Sequence, residues 1–156
     1  MREPLRWCAL LAAAWLGLLL AVAAIATPAA FAALPQAEAG RVAANVLARE
    51  AQASLILGAL LALLLRAHVR HRQAAGLPDK AFSIELGLAL GALFCTVAGY
   101  YGLQPWMAAA RGGEGRLSFA QLHALSAAFY GVKTLLVATL AWRSGALLSR
   151  RPSSSG

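Results

Sequence analysis

From residue 7 to residue 34 the chain carries no charge: WCALLAAAWLGLLLAVAAIATPAAFAAL. A bilayer's hydrocarbon core is about 30 Å thick and an α-helix rises about 1.5 Å per residue, so about 20 apolar residues cross it. Three further runs meet that length, at roughly 45–65, 81–103 and 118–142. In lipid the backbone must satisfy its own hydrogen bonds, so such runs have to be helices. The expected fold is therefore an all-α integral membrane protein, a four-transmembrane-helix bundle. The composition agrees, at 60% hydrophobic and 13% charged residues with a mean hydropathy of +0.65. The connections RAHVRHRQAAGLPDK (66–80) and QPWMAAARGGEGR (104–116) are short, and 143–156 forms a basic, polar tail. They leave one membrane domain and no room for a second.

The net charge of +8 does not indicate nucleic acid, because the basic residues cluster at the ends of apolar runs, where anionic headgroups would meet them. Arg2, Arg6, Arg66, Arg70, Arg72, Lys80, Arg143, Arg150 and Arg151 fall on one side of four alternating spans, and Arg41, Arg49, Arg111 and Arg116 on the other. Basic residues are retained in the cytoplasm, which predicts both termini inside a plasma membrane. Trp7, Tyr100, Tyr101, Trp106 and Trp142 lie near span ends, where amphipathic rings favour the headgroup level. A secretory signal with small-residue sites at 24–26 or 30–32 is the rival reading of the N-terminus. The apolar run exceeds the roughly 7 to 15 residues of a signal core, so an intact first span is expected. Pro28 should end or kink that helix.

Small residues recur every fourth position in the second span (Ser54, Gly58, Ala62) and the third (Gly87, Gly91, Cys95, Gly99). Such ridges let helix backbones approach, within a bundle or across a homodimer. The fourth span is unusual in carrying ionisable groups. On a helix of 100° per residue, His123, Ser126, Tyr130, Lys133 and Thr134 fall on one stripe about 100° wide, which should face the interior. A central lysine costs about 2.5 to 3.5 kcal/mol on the biological insertion scale, and the span's leucines, valines and Phe129 return roughly 2.4 to 4.8, so insertion remains near balance. Glu85, at the cytoplasmic edge of the third span, is the expected partner of Lys133. Arg49 and Glu50 are placed near the outer face, at the depth of His123.

Other chemistries find little support. His68 and His71 lie at the opposite end of the bundle from His123, so the three cannot share a metal or haem iron, and HVRH reads as part of a basic collar. Cys8 and Cys95 show no metal or disulfide spacing, and the phosphate-binding, zinc-protease and serine-hydrolase motifs are missing. No cofactor and no enzymatic activity is expected.

TPAAFAALPQAEAGRVAANVL (27–47), with a Pro and a Phe closing one span and an Ala-Gly pair opening the next, resembles the bacterial four-span family of domain of unknown function 4149. That family is related to eukaryotic transmembrane protein 205. RLSFAQLHALS (116–126) is similar to the family's Phe, Leu-His and Ser pattern before the last helix. The resemblance marks Pro28, Phe31, Gly40, Phe119, His123 and Ser126, and implies a small bacterial inner-membrane protein. The reading that follows is a non-enzymatic structural or partner-binding module. Its partners would be anionic lipid at the cytoplasmic face and a membrane protein or a second copy. The alternative is a small oligomeric permease or ion-coupled transporter using Glu85, His123 and Lys133, with Glu50, Ser126 and Tyr130 as further intramembrane polar positions.

Overall fold

The computed structural model describes residues 3–76, 83–114 and 116–149, and every regular element among them is a helix. Four rods are long and apolar enough to cross a membrane: α1 (Pro4–Ala33), α2 (Gln36–Ala74), α3 (Ile84–Arg111) and α4 (Phe119–Leu147). Arg2, Lys80, Arg150, Arg151 and the expected start of the third span at 81 lie outside the described residues.

Local chemistry sets most helix starts. Pro35, at φ −55°, precedes α2, and its carbonyl accepts the N–H groups of Glu38 and Ala39. The Ser83 hydroxyl caps α3 by accepting the Leu86 N–H at 3.2 Å. Ser118 and Gln121 form a reciprocal capping box before α4: the Ser118 Oγ accepts the Gln121 N–H at 3.3 Å and the Gln121 Oε1 accepts the Ser118 N–H at 2.9 Å. That role explains a glutamine lying off the polar stripe.

Two rods contain a π-helical segment, Val22–Ala26 in α1 and Val97–Gly102 in α3. Each precedes a proline, Pro28 and Pro105, and the residue four positions before each proline, Ala24 or Tyr101, lies inside the widened turn. A proline ring clashes with that carbonyl and offers it no N–H, and the π turn relieves both problems. Helix α1 therefore does not end at Pro28, one of the two outcomes expected there, but continues to Ala33.

Consecutive rods pack side by side in alternating directions, and α1 also packs on α4, closing a four-membered ring. Trp15, Leu19, Leu61, Ala89, Ala92, Val137 and Leu140 are buried between them. The small-residue ridges are used, each against its own neighbours. A Cβ at Gly58 would come within 2.6 Å of Leu93 and 2.9 Å of Trp15, while Gly91 faces Leu136 and Gly99 faces Phe129 on α4. The outer surface carries large apolar side chains: Ile25, Ile56, Leu63, Phe94 and Leu135 are each more than 60% exposed.

Candidate functional site

The helix that carries Lys133 directs it across the ring to α2. Its Nζ lies 2.8 Å from Glu50 Oε1 and 3.0 Å from Oε2, with both residues 3% exposed. The same carboxylate oxygen accepts the Ser54 hydroxyl, one helical turn along α2, and Ser54 Oγ accepts the Trp15 indole N–H from α1 at 2.8 Å. The Lys133 ammonium also sits 4.6 Å from the centroid of the Tyr130 ring, one turn back on α4. The Tyr130 hydroxyl donates to the Leu19 carbonyl at 2.9 Å, in the turn before the first π segment. Helix α3 joins nearby, where Ser126 donates to the carbonyl of Gly99 at 2.9 Å, inside the second π segment.

Five side chains thus form one connected polar network inside an apolar bundle. A buried charge without a partner is strongly destabilising, and here each charge meets the other and a further polar group or ring. Spacing makes this possible: Glu50 and Ser54 are four apart on α2, and Tyr130 and Lys133 three apart on α4, so each pair shares a face.

The pairing differs from the sequence expectation. Glu85 does not reach Lys133; it takes Arg143, whose Nε and Nη2 lie 2.9 and 2.8 Å from Glu85 Oε1. Arg143 is ten positions beyond Lys133, about 15 Å along the helix, so Glu85 belongs to another level of the bundle. Glu50 and Arg49 are also not level with His123 as expected, because α2 starts at Gln36 and not near residue 45. From Gln36 to Glu50 and from Phe119 to Lys133 is the same step of 14 positions, about 21 Å, so the acid and the base stand at one depth.

Ser126, Tyr130 and Lys133 face inward as the stripe predicts. His123 does not: it is exposed and stacks on Phe119 with ring centroids 6.1 Å apart, and Arg111 lies over the same Phe119 ring at 5.1 Å. This small cluster clasps the connection between α3 and α4. Among the described residues no three of His, Cys, Asp and Glu gather into a metal-holding group. Trp15 escaped sequence reasoning, and Ser54 was read only as part of a small-residue ridge and not as a member of the polar network. The available signal was Trp15 itself, an aromatic far inside an apolar run where the other tryptophans mark span ends.

The fold and this site define a class, an all-helical protein with four helices long and apolar enough to span a membrane. The chain belongs to the family described as Domain of unknown function (DUF4149), whose profile matches residues 10–115. No curated protein and no solved structure matches it. Pro28, Phe31, Gly40 and Glu50 lie within the matched part, and Phe119, His123, Ser126 and Lys133 beyond it. The ion pair therefore joins the family-matched helices to the rod that follows them.

Proposed function

We propose that this chain is a non-enzymatic, multi-pass module of the bacterial inner membrane, with both termini in the cytoplasm, that holds its own four helices in a fixed register and serves as a docking partner for another membrane component. The relation of its family to transmembrane protein 205 belongs to the same reading. The orientation is supported by the charge asymmetry, which sharpens once Arg49 is assigned to the interior depth of the bundle: only Arg41, Arg111 and Arg116 remain on the outer side. In this frame Lys133 stands ten positions from His123 and ten from Arg143, about 15 Å each way, at the middle of a hydrocarbon layer about 30 Å thick.

The observation that carries the reading is the closure of the pair: Glu50 and Lys133 are each 3% exposed and bonded to one another. A pair in that state fastens α2 to α4 and specifies one register, since any rotation of either helix leaves a bare charge in lipid. The alternative, an ion-coupled transporter, is favoured by one feature, an ionisable pair at the depth where transporters bind their coupling ions. With Glu85 and His123 at other levels, Glu50 and Lys133 would have to serve as the carriers.

A double-mutant cycle tests the reading. Removing one member of a buried pair costs about 3 to 5 kcal/mol, whereas replacing both with apolar or neutral groups is often neutral. Glu50→Gln and Lys133→Met are each expected to unfold far more readily in detergent than the parent, and the double variant to recover most of the loss. Proton or cation uptake into proteoliposomes that disappears with Glu50→Gln would sink the module in favour of the transporter.

A further inference from the structure

Arg49 is the charge the buried network leaves over. It neighbours Glu50 and therefore lies at the same depth, yet its side chain is exposed and it makes no hydrogen bond or ion pair with any described residue. It lines a groove of about 420 Å³ between α1 and α2, whose walls are Leu18 and Val22 on one side and Asn45, Val46, Ala53 and Glu50 on the other, the Glu50 carboxylate being held by Lys133. Asn45 is exposed one turn from Arg49, and its amide N–H₂ bonds only the Arg41 carbonyl. A guanidinium and an amide thus share one face of a groove whose one carboxylate, Glu50, is already engaged by Lys133.

A guanidinium at that depth calls for an anion, because hydrocarbon offers it no hydrogen bonds. This chain has none to spare. Its acidic residues are Glu3, Glu38, Glu50, Asp79, Glu85 and Glu114. Glu50 and Glu85 are bonded to Lys133 and Arg143. Glu38 lies eleven positions before Arg49, about 16 Å along the helix, Glu3 opens the first helix and Glu114 lies in the connection between α3 and α4. A second copy inserted in the same direction would set Arg49 against Arg49. The phosphate of a lipid headgroup would have to descend to the middle of the layer.

We propose that the groove between α1 and α2 receives a transmembrane helix of a different protein, one that carries an Asp or Glu near its midpoint, with Arg49 holding the carboxylate in its two-pronged geometry and Asn45 adding a polar contact. This rests on the docking-module reading above and names its partner's chemistry.

The test uses the full chain in phosphatidylcholine vesicles near neutral pH, labelled at its C-terminus. The probe is a synthetic Leu/Ala transmembrane peptide of about 23 residues with one central Glu, and the control carries Gln there. By energy transfer, the Glu peptide is expected to associate about ten-fold more tightly than the Gln peptide, the signature of one charge-assisted pair. Arg49→Gln should bring the ratio near one, and Arg49→Lys should retain part of it. Equal association of the two peptides with the unaltered chain overturns the proposal, as does a ratio that survives Arg49→Gln. Collapse of the ratio when phosphatidylglycerol is added overturns it in favour of a lipid occupant, and homotypic transfer abolished by Arg49→Gln overturns it in favour of a second copy. Glu50-dependent ion uptake would strike the module reading alone, whereas a ratio near one in ion-tight vesicles strikes only the groove.

Discussion

At Gly99 the absence of a side chain is what lets α3 meet α4. A Cβ built there would overlap Phe129, whose own Cβ and ring fill the space. Gly99→Ala should lower stability by about 1 to 3 kcal/mol, as overpacking does elsewhere, and Phe129→Gly, which removes the Cβ as well as the ring, should relieve part of that loss when combined with it, read by denaturation in detergent. Gly131 on α4 is the contrast, since a Cβ there meets nothing within 4 Å. Gly131→Ala should raise stability by about 0.5 to 1 kcal/mol, because the unfolded chain loses freedom and no neighbour is displaced. Four-residue spacing in the sequence picked out Gly58, Gly91 and Gly99 as approach points. It carried no information on which helix each would meet, because spacing defines a face of one helix and only the assembled ring supplies its neighbour.

Among the elements, the polar contacts described above that tie one rod to another at the level of the π segments are single hydrogen bonds to backbone carbonyls. Tyr130→Phe removes the bond to Leu19 and Ser126→Ala the bond to Gly99, both otherwise sparing the packing. Each should cost about 0.6 kcal/mol and no more than about 1.7, the range for hydrogen bonds between membrane helices, measured as a shift in thermal unfolding. The four helices were legible as apolar runs, but their true lengths were not. Hydropathy reports where lipid-like residues stop; the helix continues through Glu38, Arg41 and Arg49 at one end of α2 and Arg66 to Arg72 at the other, residues that form helix well but count as polar. That single gap misplaced Glu50 toward the surface and gave Lys133 the wrong partner, Glu85. Once the helix start is known to be Gln36, helix rise alone puts Glu50 level with Lys133.

For the whole molecule, the edge and the interior of the ring obey different electrostatics. The Glu85–Arg143 bridge has an arginine side chain 42% exposed and a glutamate side chain 13% exposed, against 4% and 2% for Lys133 and Glu50, and Glu85→Gln should change stability by less than about 1 kcal/mol. The same denaturation series therefore separates an edge pair from the interior one, with Glu50→Gln at the severe end. Alternating rod directions put the start of α1 and the end of α4 at one end of the bundle, and reporters fused to both chain ends should label the same membrane face. The lysine of α4 also has a consequence for biogenesis. Translation delivers Glu50 before Lys133. In the inner-membrane reading proposed above, the α4 segment would enter a bilayer where its counter-ion already waits, which would make its integration conditional on the earlier helices. Synthesised by itself, that segment should integrate poorly at a translocon; co-expressed with a fragment holding the first three rods it should integrate well, and Glu50→Gln in that fragment should remove the help.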